Sequence, residues 1–327
     1  MNNKNSAKKV NVIIITYNSE KFIERCIDSL IAQEYPKEDY SITIVDNNSE
    51  DSTLDILASL SKSDFISGSR LNMRIIKNPA NHGFSRANNS ALKEERLDYA
   101  LLLNHDSWIE KDFLKSMVSV MESKKTIGVC GAAEHPYESK LDLMRKTEQV
   151  NWVGCGATMF RMRALEQTGL FDENYFMYNE DIDICLRMRL KGWQVYYTPK
   201  GVWHHYGWGR ELNVGDSRII NSSLSRIYLL IKFASLRQIV RSLRIYSQRR
   251  YNKNKEPSKD NSIFNKEYLK RQITPGKLAC LIRIIMRAPL YVLKGAFNRM
   301  RIRRIKGFSH KIADELIRET DKSFYMK

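Results

Sequence analysis

An α/β fold with a doubly wound, mostly parallel sheet, followed by a basic helical C-terminal region, is predicted by three features of this 327-residue chain. β-Branched or apolar runs of strand length alternate with stretches of helical period over the first hundred residues. Polar residues tip each run. The excess positive charge lies in the last third. Alternation of the first kind builds right-handed crossovers on a parallel sheet.

The first run, Val10–Thr16, is β-branched and ends in Tyr17-Asn18-Ser19. Phe22, Ile23, Cys26, Ile27, Leu30 and Ile31 then recur at helical spacing, with Asn18 or Ser19 as the expected N-cap. A second strand, Ile42–Val45, closes on Asp46-Asn47-Asn48-Ser49, and a helix follows to about Leu60. A third strand is expected near Met73–Ile76, before Asn81-His82-Gly83-Phe84-Ser85 opens a helix containing Asn88. The fourth run, Asp98 to Leu103, is apolar enough for a strand covered on both faces, and it delivers Asn104-His105-Asp106.

Ligands of open α/β sheets bind beyond the carboxyl ends of the strands, so Thr16-Tyr17-Asn18, Asp46, Asn81 and Asp106 line a crevice suited to a nucleotide. A carboxylate at Asp106 suits a hard divalent cation that also touches phosphates. The bland alternative is a cap for a helix starting near Lys111. No G-x-G-x-x-G or P-loop follows any strand, which disfavours dinucleotide oxidoreductases and P-loop nucleoside triphosphatases.

Eight segments in order carry a resemblance to a known family. They are Ile14-Ile15-Thr16-Tyr17-Asn18, Ile44-Val45-Asp46-Asn47-Asn48-Ser49, Asn81-His82-Gly83-Phe84, Leu102-Leu103-Asn104-His105-Asp106, Gly169-Leu170-Phe171-Asp172-Glu173, Tyr178-Asn179-Glu180-Asp181-Ile182-Asp183, Lys191-Gly192-Trp193 and Trp203-His204-His205. Over about residues 10 to 230 the chain resembles family 2 glycosyltransferases of the Rossmann-like GT-A fold, nearest the bacterial rhamnosyltransferase-like branch. His105 stands where that branch usually carries proline.

The resemblance implies an inverting, metal-dependent transfer of one sugar from a nucleoside-diphosphate sugar, dTDP-rhamnose-like or a UDP-sugar. The acceptor would be a hydroxyl of a glycan or lipid-linked molecule in bacterial surface polysaccharide synthesis. Asp46 resembles the residue accepting the pyrimidine N–H, a role a carboxylate suits, although Asp-Asn-Asn-Ser also reads as an Asx-turn. Thr16, Tyr17 and Asn18 would flank the base, and Asn81 and Gly83 would shape the diphosphate loop. Asn104 and Asp106 correspond to the D-x-D signature, with Asp106 holding Mg²⁺ or Mn²⁺ and His204 or His205 adding a ligand. Asp181 would be the base on the acceptor, with Glu180 orienting it or binding acceptor. Acidic residues also stabilise a first helical turn, but the aromatic stretch Phe171, Tyr175, Phe176 and Tyr178 would desolvate the base and raise its proton affinity.

Five scattered cysteines without a C-x-x-C pair point to a reducing compartment and away from a zinc module. Met1–Lys9 is not a convincing signal peptide, and no run approaches a membrane span. The expected location is cytoplasmic, peripheral on the inner membrane face.

Residues 218–327 hold 27 Lys and Arg against 7 Asp and Glu, a net of +20; of the total +17 this leaves −3 for residues 1–217. Domains are therefore expected at 1–235, catalytic, and 236–327, basic and amphipathic. In the second, Arg237, Arg241 and Arg244 share a face beside Leu236, Ile239, Val240 and Leu243. Leu278, Leu281, Ile282 and Ile285 lie opposite Arg283, Arg287 and Lys294, and Tyr251–Asn261 reads as a linker. Such helices suit an anionic membrane surface, or a homo-oligomer interface. No nucleic-acid motif is present. A processive polysaccharide synthase is disfavoured by the missing spans and missing Q-x-x-R-W motif, and a non-catalytic nucleotide-sugar or nucleic-acid binder by the presence of Asp106 with Glu180-Asp181.

Overall fold

A computed structural model describes residues 7–62, 71–135, 146–206, 216–242, 275–303 and 310–324. The chain divides into two compact units, Met1–Glu211 and Leu212–Lys327.

The first unit is built on one mixed sheet. Its strands are β1 (Val10–Thr16), β2 (Tyr40–Asp46), β3 (Asn72–Lys77), β4 (Tyr99–Asn104), β5 (Ser107–Ile109), β6 (Ile127–His135), β7 (Glu148–Gln149), β8 (Ala157–Arg161) and β9 (Gln194–His205). They run in the order β3-β2-β1-β4-β8-β6-β9-β5, with β7 paired to β9. The first four are mutually parallel, and β8 runs antiparallel to both β4 and β6. The helices are α1 (Ile23–Ile31), α2 (Thr53–Lys62), α3 (Gly83–Glu94), α4 (Phe113–Ser123), α5 (Met162–Thr168) and α6 (Glu180–Leu190).

Both sheet faces are covered, which is why the parallel strands read as continuous apolar runs. Val12 and Ile14 join Ile23, Cys26, Ile27 and Leu30 of α1 in one buried cluster, whereas the intervening Ile13 joins Ala87, Ala91 and Leu92 of α3 in another. Cys26, Cys130, Cys155 and Cys185 are free and buried.

Two local expectations are corrected. Neither Asn18 nor Ser19 caps α1; Phe22 occupies that position and no side chain caps the helix. The two polar residues instead bind neighbouring loops, as described below. Nor does Asp106 cap a helix. β5 intervenes and pairs antiparallel with β9, while α4 begins later, after Asp112.

The second unit contains α7 (Asp216–Phe233), α8 (Pro275–Arg303) and α9 (His310–Phe324), and residues 236–242 are also helical. The boundary expected at 235/236 lies downstream of the point, Glu211/Leu212, at which the two compact units divide. The physical reason is that α7 finds its partners downstream. Ile220 and Leu224 pack with Ala288 and Tyr291, Asn298 donates to the Tyr228 hydroxyl at 2.7 Å, and Arg226 donates to Thr320 Oγ1 at 3.1 Å. A chain ended at residue 235 is therefore expected to lose the cover of Leu224, Tyr228 and Phe233, now at most 1% exposed, and to aggregate. Size-exclusion chromatography of that truncation checks this; a soluble monomer would refute it.

Leu243, Arg244, the 251–261 linker, and the side chains of Leu278, Leu281, Ile282 and Ile285 lie outside the described residues. Among the described residues, no helix is long and apolar enough to cross a membrane.

Candidate active site

The polar tips of β1 and β2 are stitched to each other. Thr16 and Asp46 are register partners, and Thr16 Oγ1 donates to Asp46 Oδ1 at 2.9 Å. Ser49 donates to the same oxygen through Oγ at 2.5 Å and to Oδ2 through its backbone N–H at 3.0 Å. Asp46 is 1% exposed, so it holds its own turn, and only lone pairs left on the carboxylate are open to a ligand N–H. Asn18, left-handed at φ 51°, donates its N–H to Ser49 Oγ and accepts the Glu50 N–H on Oδ1, each at 2.9 Å. The Ser19 N–H goes to Thr53 Oγ1 at 2.7 Å. Tyr17, between these anchored residues, is 45% exposed.

The third tip is held from the other side. Asn81 Oδ1 accepts the Gly83 N–H at 3.0 Å, and the Gly83 carbonyl accepts from Asn47 Nδ2 at 3.2 Å. Gly83 has φ +76°, and a Cβ there would sit 2.3 Å from the Phe176 carbonyl oxygen, which also accepts the Phe84 N–H at 2.7 Å. Only glycine meets both conditions. Thus the Asn81–Gly83 loop is fastened to the segment preceding α6.

At the fourth tip, Asp106 is 6% exposed and its Oδ2 lies 3.2 Å from His205 Nε2. His205 Nδ1 lies 2.7 Å from Glu134 Oε1, so the imidazole is clamped between two carboxylates. Burial opposes charge on His205, but hydrogen bonds to Asp106 and Glu134 outweigh it and raise its pKa to about 10. Burial likewise opposes charge on Asp106, yet the His205 hydrogen bond and the charges of His105 and His205 leave its carboxyl below the ordinary value.

Strand alternation turns His204 the other way. Its ring stacks on Trp108 at 4.8 Å and 5°, and its Nε2 lies 2.5 Å from Glu110 Oε1. The structure thus brings His205, and not His204, beside Asp106.

The acidic pair begins α6, after Tyr178 and Asn179, which are both left-handed at φ 69° and 65°. Consecutive non-glycine residues in that region are costly, of order 1–3 kcal/mol each, and cluster at functional sites. Glu180 is buried, and its Oε2 has no hydrogen-bond partner among the described residues. Burial, then the charges of Asp181 and Asp183, push its carboxyl well above the ordinary range. Asp181, beside it, is only partly buried. Asp183 is fully buried and structural: it accepts from Arg187 Nε at 2.5 Å and from the Tyr175 hydroxyl at 3.2 Å. Arg187 in turn donates to the carbonyls of Thr168, Gly169 and Leu170.

The segment Gly154–Gly156 runs beside both β4 and Asp181. Asn104 donates its N–H to the Gly156 carbonyl at 2.8 Å. A Cβ on Gly156 would lie 2.4 Å from the Trp203 ring, and one on Gly154 would lie 3.9 Å from Asp181 Oδ2. Trp203 in turn has its ring centroid 5.1 Å from that of His205.

Among the described residues, no group of three His, Cys, Asp or Glu is arranged as a metal cage. The chemistry of the donor set nevertheless fits a cation bound mainly by substrate. Asp106 and His205 supply one carboxylate and one imidazole, and Mg²⁺ or Mn²⁺ commonly takes its other ligands from phosphates and water. Glu134 completes the arrangement, because a ligating histidine ordinarily donates its second N–H to a carboxylate. Sequence reasoning missed Glu134. It lies 71 positions from His205, and only the parallel pairing of β6 with β9 brings them together.

The model for Glycosyl transferase family 2 matches residues 11–186, more than half the chain, and the chain belongs to that family. It is 24% identical over 218 residues to a Methanococcus voltae dolichyl N-acetyl-α-D-glucosaminyl phosphate 3-β-D-2,3-diacetamido-2,3-dideoxy-β-D-glucuronosyltransferase, covering 60% of this chain and 66% of that enzyme. It is 27% identical over 233 residues to the rhamnosyltransferase WbbL of Escherichia coli K12, covering 60% and 83%. The chain thus spans just under two thirds of the Methanococcus relative's length. Among solved structures, Staphylococcus aureus TarS 1–349 in complex with UDP superposes with a TM-score of 0.54 at 18% identity, over 97% of this chain and 91% of that one. The Pyrobaculum calidifontis mannosyltransferase PcManGT, in complex with GDP-Man and Mn²⁺, gives 0.56 at 17%, over 97% and 81%. These establish the GT-A fold.

Proposed function

We propose that the protein transfers one sugar, with inversion, from a nucleoside-diphosphate sugar to a hydroxyl of a glycan or lipid-linked acceptor in bacterial surface polysaccharide synthesis. What supports this reading is that Thr16, Asp46 and Asn104 lie at the ends of neighbouring parallel strands, with the Asp106–His205 pair just beyond and Gly154 close to Asp181 Oδ2. In it, Thr16, Asp46 and the Tyr17-Asn18 turn receive the base, and Asn81, Gly83 and Asn104 border the diphosphate. Asp106 and His205 would hold a divalent cation, Mg²⁺ or Mn²⁺, which when bound would supply positive charge to the departing diphosphate. Glu134, bonded to Nδ1, orients the ring so that Nε2 can bind the cation once it gives up the proton it shares with Asp106.

Asp181 takes the proton of the acceptor hydroxyl. It is the less buried of the acidic pair, so an acceptor can reach it. Burial favours the protonated form of Glu180. The donor is dTDP-rhamnose-like or a UDP-sugar.

The test is donor hydrolysis and transfer against a panel of UDP-, dTDP- and GDP-sugars with Mg²⁺ or Mn²⁺. Turnover of one nucleotide class is expected, and none with any donor would overturn the reading. Asp46→Asn is expected to raise the donor KM about tenfold with little change in kcat, because it removes uniform binding, worth about 1.4 kcal/mol per tenfold. An unchanged KM would remove Asp46 from the base site.

A further inference from the structure

Helix α8 carries an apolar face that nothing among the described residues covers. Met286, Leu290, Leu293 and Phe297 are 76%, 53%, 69% and 60% exposed. Their spacing of four, three and four residues puts them on one side of the helix, along roughly 17 Å at about 1.5 Å per residue. The opposite side is the packed one. Ala288 and Tyr291 meet Ile220 and Leu224, Gly295 fits so closely that a Cβ would lie 2.9 Å from Ile231 Cβ, and Arg299 donates to the Ile231 carbonyl at 3.0 Å. Tertiary packing within this unit therefore uses one face of α8 and leaves a continuous apolar stripe on the other. Single exposed leucines are ordinary on protein surfaces, but four in register on one helix mark an interaction surface.

The charge on the same helix selects the occupant. Residues Pro275–Arg303 contain seven Lys and Arg and no Asp or Glu. Arg283, Arg287 and Lys294 follow the stripe along one border, where the helical repeat sets them, and Arg283 and Arg287 are exposed. An interface between two copies of this face would bring Arg283, Arg287 and Lys294 against their own counterparts, with no acidic side chain on α8 to offset them. A surface that is negative at its boundary and apolar just below satisfies both features: the basic border meets lipid phosphates while the stripe enters the acyl boundary.

We infer that the α8 face formed by Met286, Leu290, Leu293 and Phe297, bordered by Arg283, Arg287 and Lys294, docks in the plane of an anionic phospholipid surface. This goes beyond the transfer reaction and stands whichever sugar is moved.

The test is co-sedimentation of the full chain with phosphatidylcholine vesicles, with and without phosphatidylglycerol, at low and high salt. Binding is expected only with phosphatidylglycerol and should weaken as salt screens the charges. The triple variant Leu290→Ser, Leu293→Ser and Phe297→Ser should lower the vesicle-bound fraction at least about tenfold. Its circular dichroism spectrum should stay unchanged, since all three side chains are more than half exposed. Should that variant misfold, Phe297→Trp keeps an aromatic on the stripe; its added emission should be quenched by brominated lipids. Equal binding to neutral vesicles, full binding by the triple variant, or no added quenching in Phe297→Trp would each overturn the inference. So would a dimer of the parent protein that the triple variant turns to monomer while vesicle binding is absent from both, which would make the stripe a self-association face.

Discussion

Asp106→Asn is expected to lower cation-dependent transfer by at least about 10³-fold while leaving the chain folded. The size follows from what the cation does, since stabilising charge on a departing diphosphate is worth several kcal/mol, and about 1.4 kcal/mol corresponds to tenfold in rate. Asparagine keeps the shape and can still accept from His205, so the fold should lose no more than the roughly 1–3 kcal/mol of a weakened charge-assisted hydrogen bond. His205→Ala should fall in the same direction. His204→Ala should have a much smaller effect, because that ring is spent on Trp108 and Glu110. Turnover with titrated Mn²⁺, together with Mn²⁺ binding followed by electron paramagnetic resonance, checks both statements. Full activity in Asp106→Asn, or a larger loss in His204→Ala than in His205→Ala, would overturn the assignment.

What the sequence made legible was whatever local pattern encodes. β1 spans the residues its β-branched run marks, Val10–Thr16, and β4 delivers Asp106 to the sheet end because Tyr99 to Leu103 is apolar on both faces. The tips of β1, β2 and β4 followed from the same logic. What stayed hidden depends on contacts between distant segments. The choice between His204 and His205 turns on the pairing of β9 with β5, a strand of three residues too short to show a period. Glu134 is invisible for the same reason, and so is the burial of Glu180. The packing of α7 against downstream segments was equally hidden, because α7 has no property in sequence that assigns it to those partners. Asn18 and Ser19 have the chemistry of helix caps, but tertiary hydrogen bonds to Ser49, Glu50 and Thr53 claimed them first.

Asp181→Asn is expected to abolish most transfer, by about 10²–10⁴-fold or more, on the scale of a lost general base. Donor affinity should be almost unchanged, because the base acts on the acceptor. Glu180→Gln separates the two carboxylates. Glu180 sits beneath the site with one oxygen unpaired and its proton held by burial, so a neutral amide of the same shape imitates its preferred state. Its substitution should therefore cost less than about tenfold, the scale of one adjusted hydrogen bond. It should also leave the circular dichroism spectrum intact. The measurement is transfer rate against donor hydrolysis in water and donor binding by calorimetry, for both variants. If Glu180→Gln proves the more damaging change while Asp181→Asn stays active, the buried carboxyl is the base. Its raised proton affinity would then be what makes it basic enough to take the acceptor's proton.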